Sequence, residues 1–391
     1  MTWTSVVTLT PSFGFGSGPL ASAPTWTDIA AYVRGMMISR GRSSVRSAFD
    51  AGSCTLILDN RDGRFDPNNT SSPYSPNVRI GTPVRIQATY NAVTYDLFRG
   101  HVTRWPLTYP EAGKDGIAVV DCSENMAVLN TTHITASYLV EGSDDRIVNV
   151  LDDAGWPAAA RDIDAGSTDV AAVDLEGSAL DQILAAVDAE QGEFFIAKNG
   201  DATFLNRIAF STASSQATFN PGTSLDYTTV DLSYDDDFLI NHAVITAGND
   251  ETGEASDAAS VTASGEHSGV DTLDLLLGEP YATNVAEWIV GKNKDMAVRV
   301  TGLTIAPQHD PADLWPEVLD RELRDLITVN VNPPGSGDNL SQIVGVEGIQ
   351  HDVTPDFWQT SYTCHPLSTF ETQDYWILGT SDDLGTNTVL A

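Results

Sequence analysis

Residues 81–86 read GTPVRI, residues 97–100 read LFRG and residues 117–122 read IAVVDC, and the pattern returns as DLITVNV (325–331), VGVEG (344–348) and WQTSYTC (358–364). Each copy has a strand-forming run, a turn, a second run that ends in glycine and a third run that ends in cysteine. Such runs, separated by turn residues, predict a three-stranded antiparallel meander in each copy. Glycine is expected where a strand bends at the corner of a barrel.

The two copies also share a tryptophan between the glycine and the cysteine, Trp105 in the first and Trp358 in the second. Any two β-meanders resemble one another, but this common order favours an internal duplication. A longer loop at 106–116 accounts for the greater length of the first copy. Two similar barrels in one chain, repeated around a threefold axis, would form a ring with quasi-sixfold symmetry. Such a ring can join a sixfold structure to a threefold one.

The rest of the chain places an α+β insert between two β domains. The predicted fold class is α+β, mainly β, with two related β-barrel domains and one small inserted α+β domain. The predicted domains are a first barrel at 1–130, the insert at 131–225, a second barrel at 226–370 with a loop and helix insertion near 249–296, and a C-terminal tail at 371–391.

Within the insert, apolar spacing predicts helices over 144–154, with Ser143 as the N-cap, and over 178–190, with Ser178 as the N-cap. Gly192 is expected to follow the second helix as its C-terminal glycine. Asn199-Gly200 between two apolar runs predicts a hairpin with a type I′ turn.

Two helices and one loop are predicted in the second β domain. The helices lie over 280–290 and 317–324, with Leu314-Trp315-Pro316 as a packing anchor in front of the second. The segment 249–269 is rich in Asp, Ser, Gly and Ala and is expected to be a long exposed loop.

The net charge excludes two classes of partner. The 391 residues contain 20 Lys and Arg and 54 Asp and Glu, which gives a formal net charge of −34. A general nucleic-acid binder needs a basic footprint, and so does a protein that binds an anionic membrane surface. No apolar run reaches the length of a membrane helix, and residues 1–4 do not begin a secretory signal, so no stable membrane association is expected.

The charge is unevenly distributed along the chain. Residues 1–104 sum to +4, whereas the remainder sums to −38. This asymmetry reflects either an uneven solvated surface or a first domain that faces an acidic partner. On the second interpretation, the candidate interface residues are Arg40, Arg42, Arg61, Arg64, Arg79 and Arg85.

The sequence does not match the known catalytic and metal-binding motifs that we considered. Cys54, Cys122 and Cys364 are too far apart for a CxxC site and are expected to be small buried side chains. The Asp59–Asp66 stretch resembles a calcium loop, but Leu58 occupies the first ligand position, so turn closure is the better interpretation. The seven histidines have no zinc spacing, and no nucleophile elbow is present. We therefore predict no enzymatic activity, no cofactor and no metal.

An ordered set of motifs resembles a known family. The stretch AGSCTLILDNRDGRFDP (51–67) is similar to a signature of minor tail proteins from siphophages of actinobacteria. The further matches, in order, are SPY (72–74), LFRG (97–100), DDAGWP (152–157), YDD (234–236), INH (240–242), LWP (314–316) and VEGIQH (346–351).

The resemblance implies a structural hub at the distal tip of the tail. Such hubs are similar to the baseplate hub of contractile phages and to the N-terminal part of tail-associated proteins. They contain two tube-type β-barrel domains and inserted α+β domains, and they assemble as homotrimers. Larger relatives carry a C-terminal peptidase or receptor-binding extension. This chain stops soon after its second barrel, so enzymatic or adhesive work is expected to lie in other proteins.

The resemblance also implies partners and a location. The protein would be made in the host cytoplasm and would reside at the tail tip of the virion. Its neighbours would be the distal tail ring, the tape measure protein and tip or receptor-binding proteins, and genomic DNA would contact it only in transit. Acidic residues along the lumen of the ring would repel DNA phosphates; alternatively, the acidity only confers solubility.

Three other functions stay open at this point. The tryptophans are mainly core candidates, but an exposed set could bind cell-wall glycan, with Trp26, Trp105, Trp156, Trp315 and Trp358 as the residues concerned. A wall hydrolase would require catalytic residues that the spacing does not provide. A hexameric ring adaptor, like the distal tail ring, would differ from the hub in its number of subunits.

Overall fold

The computed structural model describes residues 6–43, 48–110, 113–211, 213–335, 339–367, 374–376 and 388–390. Residues 1–4, from which we predict that the chain has no secretory signal, lie outside the described residues. Most of the predicted tail at 371–391 does so as well. Its two described segments, 374–376 and 388–390, pair with each other as parallel strands.

The described residues up to Thr131 form eight strands, one 3₁₀ turn and one short helix. The strands are β1 (Thr8–Phe13), β2 (Thr27–Asp28), β3 (Val33–Gly41), β4 (Asp50–Asp59), β5 (Pro83–Tyr90), β6 (Val93–Arg104), β7 (Leu107–Thr108) and β8 (Ile117–Glu124). The 3₁₀ turn spans Ala30–Tyr32 and helix α1 spans Met126–Thr131.

The part of the insert that the structure describes combines short strands with two helices. The strands are β9 (His133–Tyr138), β10 (Glu141–Gly142), β11 (Arg161–Ile163), β12 (Asp169–Val170), β13 (Val173–Ser178), β14 (Glu193–Ile196), β15 (Ala202–Leu205) and β16 (Ala217–Phe219). The helices are α2 (Ser143–Asp153) and α3 (Ala179–Glu190). Their apolar faces pack together in the core of the insert.

The remaining described chain returns to β structure. Its strands are β17 (Thr229–Ser233), β18 (His242–Ala247), β19 (Thr252–Ser256), β20 (Ser268–Leu273), β21 (Arg299–Ile305), β22 (Leu326–Val331), β23 (Leu340–Thr354), β24 (Phe357–Pro366), β25 (Asp374–Trp376) and β26 (Thr388–Leu390). Its helices are α4 (Ala258–Ser264), α5 (Glu279–Asn293) and α6 (Pro311–Asp320).

One large sheet joins the two β segments. Its order is β17-β21-β24-β23-β3-β4-β8-β6-β5-β1-β2, with β22 and β16 branching from β23 and with β7 on β8. The two segments have the same strand order, since β5-β6-β8-β4-β3 in the first corresponds to β22-β23-β24-β21-β17 in the second. Both predicted meanders are therefore confirmed, and the shared five-strand order supports duplication more strongly than the sequence pattern does.

The glycines that suggested the repeat do not occupy equivalent positions. Cys122 lies opposite Val102, and Cys364 lies opposite Val346. Gly100 lies two residues before Val102, the residue opposite Cys122. Gly348 lies two residues after Val346, the residue opposite Cys364. The sequence alignment of the two glycines is therefore wrong, although the alignment of the cysteines is consistent with the strand pairing.

Pairing within the described residues runs from β17 to β2 and does not close on itself. The mainly β composition agrees with the predicted fold class. The division into two closed barrels and the domain boundaries at 130, 225 and 370 remain predictions.

The helices of the insert are confirmed, but two of their predicted ends are wrong. Ser178 caps α3 by accepting a hydrogen bond from the Asp181 amide, as predicted. Ser143 is not the N-cap of α2; Gly142 holds that position, and the buried Ser143 hydroxyl contacts Glu190. At the end of α3, Gln191 rather than Gly192 adopts the left-handed conformation, with φ of 58°.

The type I′ turn lies in a different hairpin from the one predicted. Ile196 pairs with Ala202, so the connection that contains Asn199-Gly200 has five residues. A two-residue connection joins Tyr90 to Val93 instead, and both of its residues, Asn91 and Ala92, have positive φ angles. Positive φ at both positions defines the type I′ geometry, which alanine rarely adopts and which the sequence therefore did not indicate.

Two elements of the second β segment differ from prediction. The predicted loop at 249–269 contains β19, α4 and the start of β20, because β18 lies between β19 and β20 in a small sheet. The predicted helix over 317–324 begins earlier, at Pro311, and ends at Asp320. The predicted helix over 280–290 is confirmed within α5.

Helix α6 packs Trp315 into the hydrophobic core of the first β segment. The sequence Leu314-Trp315-Pro316 predicted such a packing anchor. The Trp315 and Trp358 rings are both buried and meet edge to face, with 5.1 Å between their centroids. The Tyr90 hydroxyl donates to the Pro311 carbonyl at 2.8 Å. The second half of the chain thus supplies part of the core beneath the first half.

A buried histidine beside this pair predicts a pH dependence. His351 Nδ1 lies 2.9 Å from Thr360 Oγ1, and burial, together with the positive charges of Arg40 and Lys198, lowers the histidine pKa to about 3. Below its ordinary pKa the unfolded chain takes up a proton that the folded chain does not. Stability is therefore lost as the pH falls below about 6.5.

We expect His351→Gln to remove this loss. In urea unfolding, the stability of the wild type relative to the variant should fall by about 2 kcal/mol between pH 7.5 and pH 5. His309→Gln, at an exposed position, is the matched control and should leave the pH dependence unchanged. Equal pH dependence in wild type and His351→Gln would contradict the assignment.

Candidate assembly site

A buried cluster of charges lies where the two β segments and the insert meet, and we call it the junction cluster. Its members are Arg40, Arg42, Glu124, Glu193, Glu322, Arg324 and Glu347. Arg40 lies near the end of strand β3, where β3 pairs with β23, and Arg42 directly follows that strand. The cluster therefore lies at the seam between the two halves of the large sheet.

Arg40 connects all three parts of the chain. Its Nε donates to Glu124 at 2.6 Å, its Nη1 to Glu322 at 2.7 Å and its Nη2 to the Ile196 carbonyl at 2.7 Å. Glu124 also accepts the Gly52 amide at 2.9 Å. Burial raises the pKa of Glu124, even though Arg40 stabilises its charge.

Arg42 and Arg324 share two carboxylates. Arg42 contacts Glu347 at 2.8 Å and Glu193 at 2.7 Å, and Arg324 pairs with the same two residues. Burial disfavours the charge of Glu193, but Arg324 and Arg42 outweigh burial and hold its pKa below the usual range. Each arginine thus bridges β14 of the insert to β23.

A glycine makes the close approach at this seam feasible. Gly41 has a φ of +94°, and a Cβ atom there would lie 2.2 Å from the Glu347 carbonyl oxygen. The adjacent Arg42 amide donates to that same oxygen at 2.9 Å. Any side chain at position 41 would push β3 away from β23.

The structure separates the six arginines that the sequence grouped as interface candidates. Arg40 and Arg42 are turned inward and are 4% and 8% exposed, so the expectation that they face another subunit needs correction. Arg61 and Arg64 pair with nearby Asp59 and Asp62. An interface role for the four outward residues remains a prediction.

The last two candidates lie on the surface of the first β segment. Arg79 is exposed, and Arg85 stacks on the Trp26 ring with 4.6 Å between its Cζ and the centroid. Arg99 lies directly opposite Arg85 in the β5–β6 ladder and approaches the same ring at 5.8 Å. Sequence reasoning missed the pairing of Arg99 with Arg85, although both residues belong to predicted strands.

One face of the large sheet is polar over eight neighbouring strands, from β17 to β6, and we call it the polar sheet face. Its small hydroxyl and amide side chains include Ser39, Ser53, Thr55, Thr304, Gln350, Gln359, Ser361 and Thr363, and all of them are exposed or half-buried. Acidic groups on this face include Asp121, Asp231 and Asp352, and Arg104 pairs with Asp121. Met37 and Ile57 interrupt it with exposed apolar groups.

The polar sheet face follows from strand alternation. In β24, Trp358, Thr360, Tyr362 and Cys364 are buried, while the residues between them are half-buried. Strand β4 shows the same alternation. Because successive side chains point to opposite faces, each strand gives one side to the core and one side to solvent.

The described residues contain no group of three or more metal-ligating side chains, and no described helix could span a membrane. The three cysteines are buried, as predicted. The Asn60 side chain accepts the Phe65 amide at 2.9 Å, which confirms turn closure in the stretch that resembled a calcium loop. Trp156, Trp315 and Trp358 are buried and cannot stack on a sugar.

No protein-family model and no curated protein sequence matches the chain. Solved structures do match over nearly its whole length. The 43 kDa tail protein of prophage MuSo2 from Shewanella oneidensis is 9% identical with a TM-score of 0.60, covering 92% of this chain and 98% of that one. A tail protein from Neisseria meningitidis MC58 is 10% identical with a TM-score of 0.60, covering 93% and 98%.

A third match lies outside phages. The c3393 protein of E. coli, a component of the type VI secretion system described as structurally similar to T4 tail proteins gp27 and gp5, is 8% identical with a TM-score of 0.51. That alignment covers 87% of this chain and 74% of the other. The chain thus has the fold of phage tail proteins, which is shared with a secretion-system component.

Proposed function

We propose that the chain is a structural, non-enzymatic subunit of a phage tail tip, in which three copies form a hub ring around the path of the DNA. The observation that carries the proposal is the continuous sheet of two topologically equivalent halves with one polar face. The fold shared with phage tail proteins supports it, and the motifs that resemble actinobacterial siphophage proteins indicate the kind of tail.

The duplicated strand order supplies the symmetry of such a ring. Each half contributes four strands to the polar sheet face, β17, β21, β24 and β23 from one half and β3, β4, β8 and β6 from the other. A trimer would therefore present six similar four-stranded units to a sixfold tail tube above it. It would keep threefold symmetry for the tip below it.

The dimensions of a ring lined by this face suit DNA. Eight strands per chain make 24 strands in a trimer, and at about 4.8 Å between strands the perimeter is about 115 Å. That perimeter corresponds to a diameter of about 37 Å before strand tilt, which widens a barrel further. A channel of this width admits double-helical DNA.

The chemistry of the polar sheet face suits transit rather than binding. Hydroxyl and amide groups dominate it, and its carboxylates disfavour DNA phosphates. Asp352 accepts a hydrogen bond from Gln350 at 2.9 Å, which keeps that carboxylate on the face. We infer that DNA slides past this surface without sequence recognition.

Native mass spectrometry of the purified chain tests the ring. We expect a species of three times 41.8 kDa. A hexamer would favour the ring-adaptor alternative. A chain that stays monomeric at all concentrations would contradict the hub, as would clearance of peptidoglycan in zymography, which would instead reveal a hydrolase.

A further inference from the structure

We propose that strand β17 of one copy pairs with the outer edge of Arg104–Thr108 of the next copy. This contact would repeat, between subunits, the pairing that β3 makes with β23 inside the chain. The inference rests on the proposed ring and specifies how its subunits join. It follows from the internal repeat. Within the chain, β3 of the first half pairs with β23 of the second half. The strand edges equivalent to these two are β17 and Arg104–Thr108, which would pair between copies.

Strand register defines the first edge. In the first half, Met37 lies opposite Thr55, which lies opposite Asp121. In the second half, Asp231 lies opposite Gly302, which lies opposite Thr363. Asp121 and Thr363 each directly precede the aligned cysteine. Asp231 in β17 is therefore the counterpart of Met37 in β3.

The same reasoning defines the second edge. His351 in β23 lies opposite Thr360, and Leu107 in β7 lies opposite Ala118. Thr360 and Ala118 are each four residues before the aligned cysteine. Leu107 is therefore the counterpart of His351, and the segment Arg104–Thr108 is the counterpart of the part of β23 that receives β3.

These counterparts fix the register of the proposed contact. Inside the chain, Ile38 lies opposite His351 and Arg40 lies opposite Ile349. The β17–β21 ladder shifts register after Asp231, with Thr301 of β21 as the extra residue, so β17 itself is counted continuously from Asp231. Between copies, Leu232 should accordingly lie opposite Leu107, and Tyr234 opposite Trp105. Among the described residues, β17 has a ladder partner only on its β21 side.

The side chains at these two edges fit each other. Leu232 is 41% exposed, Tyr234 is 65% exposed, and Tyr109, beside the second edge, is 54% exposed. Apolar groups of this size along a free strand edge are normally avoided, because they promote pairing with another chain. Pairing in this register would bury all three.

The charges at the two edges are complementary as well. Arg104 has a side chain that is 73% exposed, and in the proposed register it meets the acidic turn Asp235–Asp237 of the next copy. A contact of this kind joins different surfaces on the two copies. It therefore closes into a ring when the rotation between copies allows it.

Cysteine cross-linking tests the register directly. In the double variant Leu107→Cys/Leu232→Cys, facing cysteines should form disulfides between copies on mild oxidation, since opposed Cβ atoms fall within disulfide range. Non-reducing electrophoresis should then show covalent dimers and trimers. The native cysteines are buried, so the wild type should migrate as a single chain.

The matched control is Leu107→Cys/Val270→Cys. Val270 is a 73% exposed apolar residue on β20, an edge strand of the small sheet outside the proposed contact. It should give no ladder of covalent species. Equal cross-linking in the control, or no cross-linking of the test pair when wild type is trimeric, would overturn the register and leave the ring intact.

A second pair of variants tests the energetics. Leu232→Lys/Tyr234→Lys should weaken self-association at least about tenfold, whereas Val270→Lys should leave it unchanged. A monomeric wild type would instead contradict the ring itself, so the failure of the contact and the failure of the proposed function give different results.

Discussion

Arg40→Ala is expected to lower the free energy of unfolding by about 3–5 kcal/mol, because it leaves buried carboxylates without their partner. Glu124 and Glu322 lose their ion pairs, and the Ile196 carbonyl loses its donor. Since these three residues come from different parts of the chain, the loss should loosen the seam between β3 and β23. Urea unfolding followed by circular dichroism measures the effect.

The matched control for this prediction is Arg61→Ala. Arg61 pairs with Asp59 at the surface, where water and salt screen the pair, so its loss should change the free energy of unfolding far less than the loss of Arg40. The two arginines were equivalent interface candidates in the sequence, so the comparison tests the structural assignment. Similar losses in both variants would contradict the inward position of Arg40.

Gly41→Ala is the second change with a large expected effect. A positive φ costs a residue with a Cβ about 1–2 kcal/mol, and overpacking typically adds about 1–3 kcal/mol. The added methyl group would meet the Glu347 carbonyl oxygen at 2.2 Å and the Gly348 Cα at 2.7 Å. Unfolding measurements should show a loss of about 2–5 kcal/mol.

Gly222→Ala separates the two causes of this loss. Gly222 has a φ of +76°, and a Cβ there would meet nothing within 4 Å. Gly222→Ala should therefore lower the free energy of unfolding only by the cost of the positive φ angle, about 1–2 kcal/mol. If both alanine variants lost the same amount, the close approach of β3 and β23 at Gly41 would be wrong.

The strands of the repeat could be predicted because their pattern is local. Alternation and turn residues mark the strands at 81–122 and 325–364, and the structure confirms their antiparallel order. The α3 helix was equally accessible, because Ser178 and the apolar spacing after it act within a few residues of each other.

Contacts distant in sequence could not be predicted. Arg40 meets Glu322 across 282 residues, and no local pattern indicates that pair. A run of arginines in a mildly basic segment indicated surface, but burial of a charge depends on whether a carboxylate from elsewhere reaches it. The pairing of β3 with β23 also joins segments that are distant in sequence, so no local pattern indicated it.

Segments rich in small polar residues were also misassigned. The composition of 249–269 is typical of loops, yet β19 and β20 form there because β18 lies between them and α5 covers the sheet. A Cβ at Gly253 would lie 2.0 Å from the Thr283 amide nitrogen of α5. Glycine at that position therefore permits close packing rather than marking a loop.

The central claim is that the chain forms a threefold hub ring whose polar sheet face lines the DNA channel. A cryo-EM reconstruction of tails that contain this chain tests it most directly. The account predicts three copies around the tail axis, with Ser39, Thr55 and Gln350 facing the channel and with β17 beside the β6–β7 edge of the neighbouring copy. Density for the chain at the periphery of the tip, or a channel lined by another face of the sheet, would contradict it.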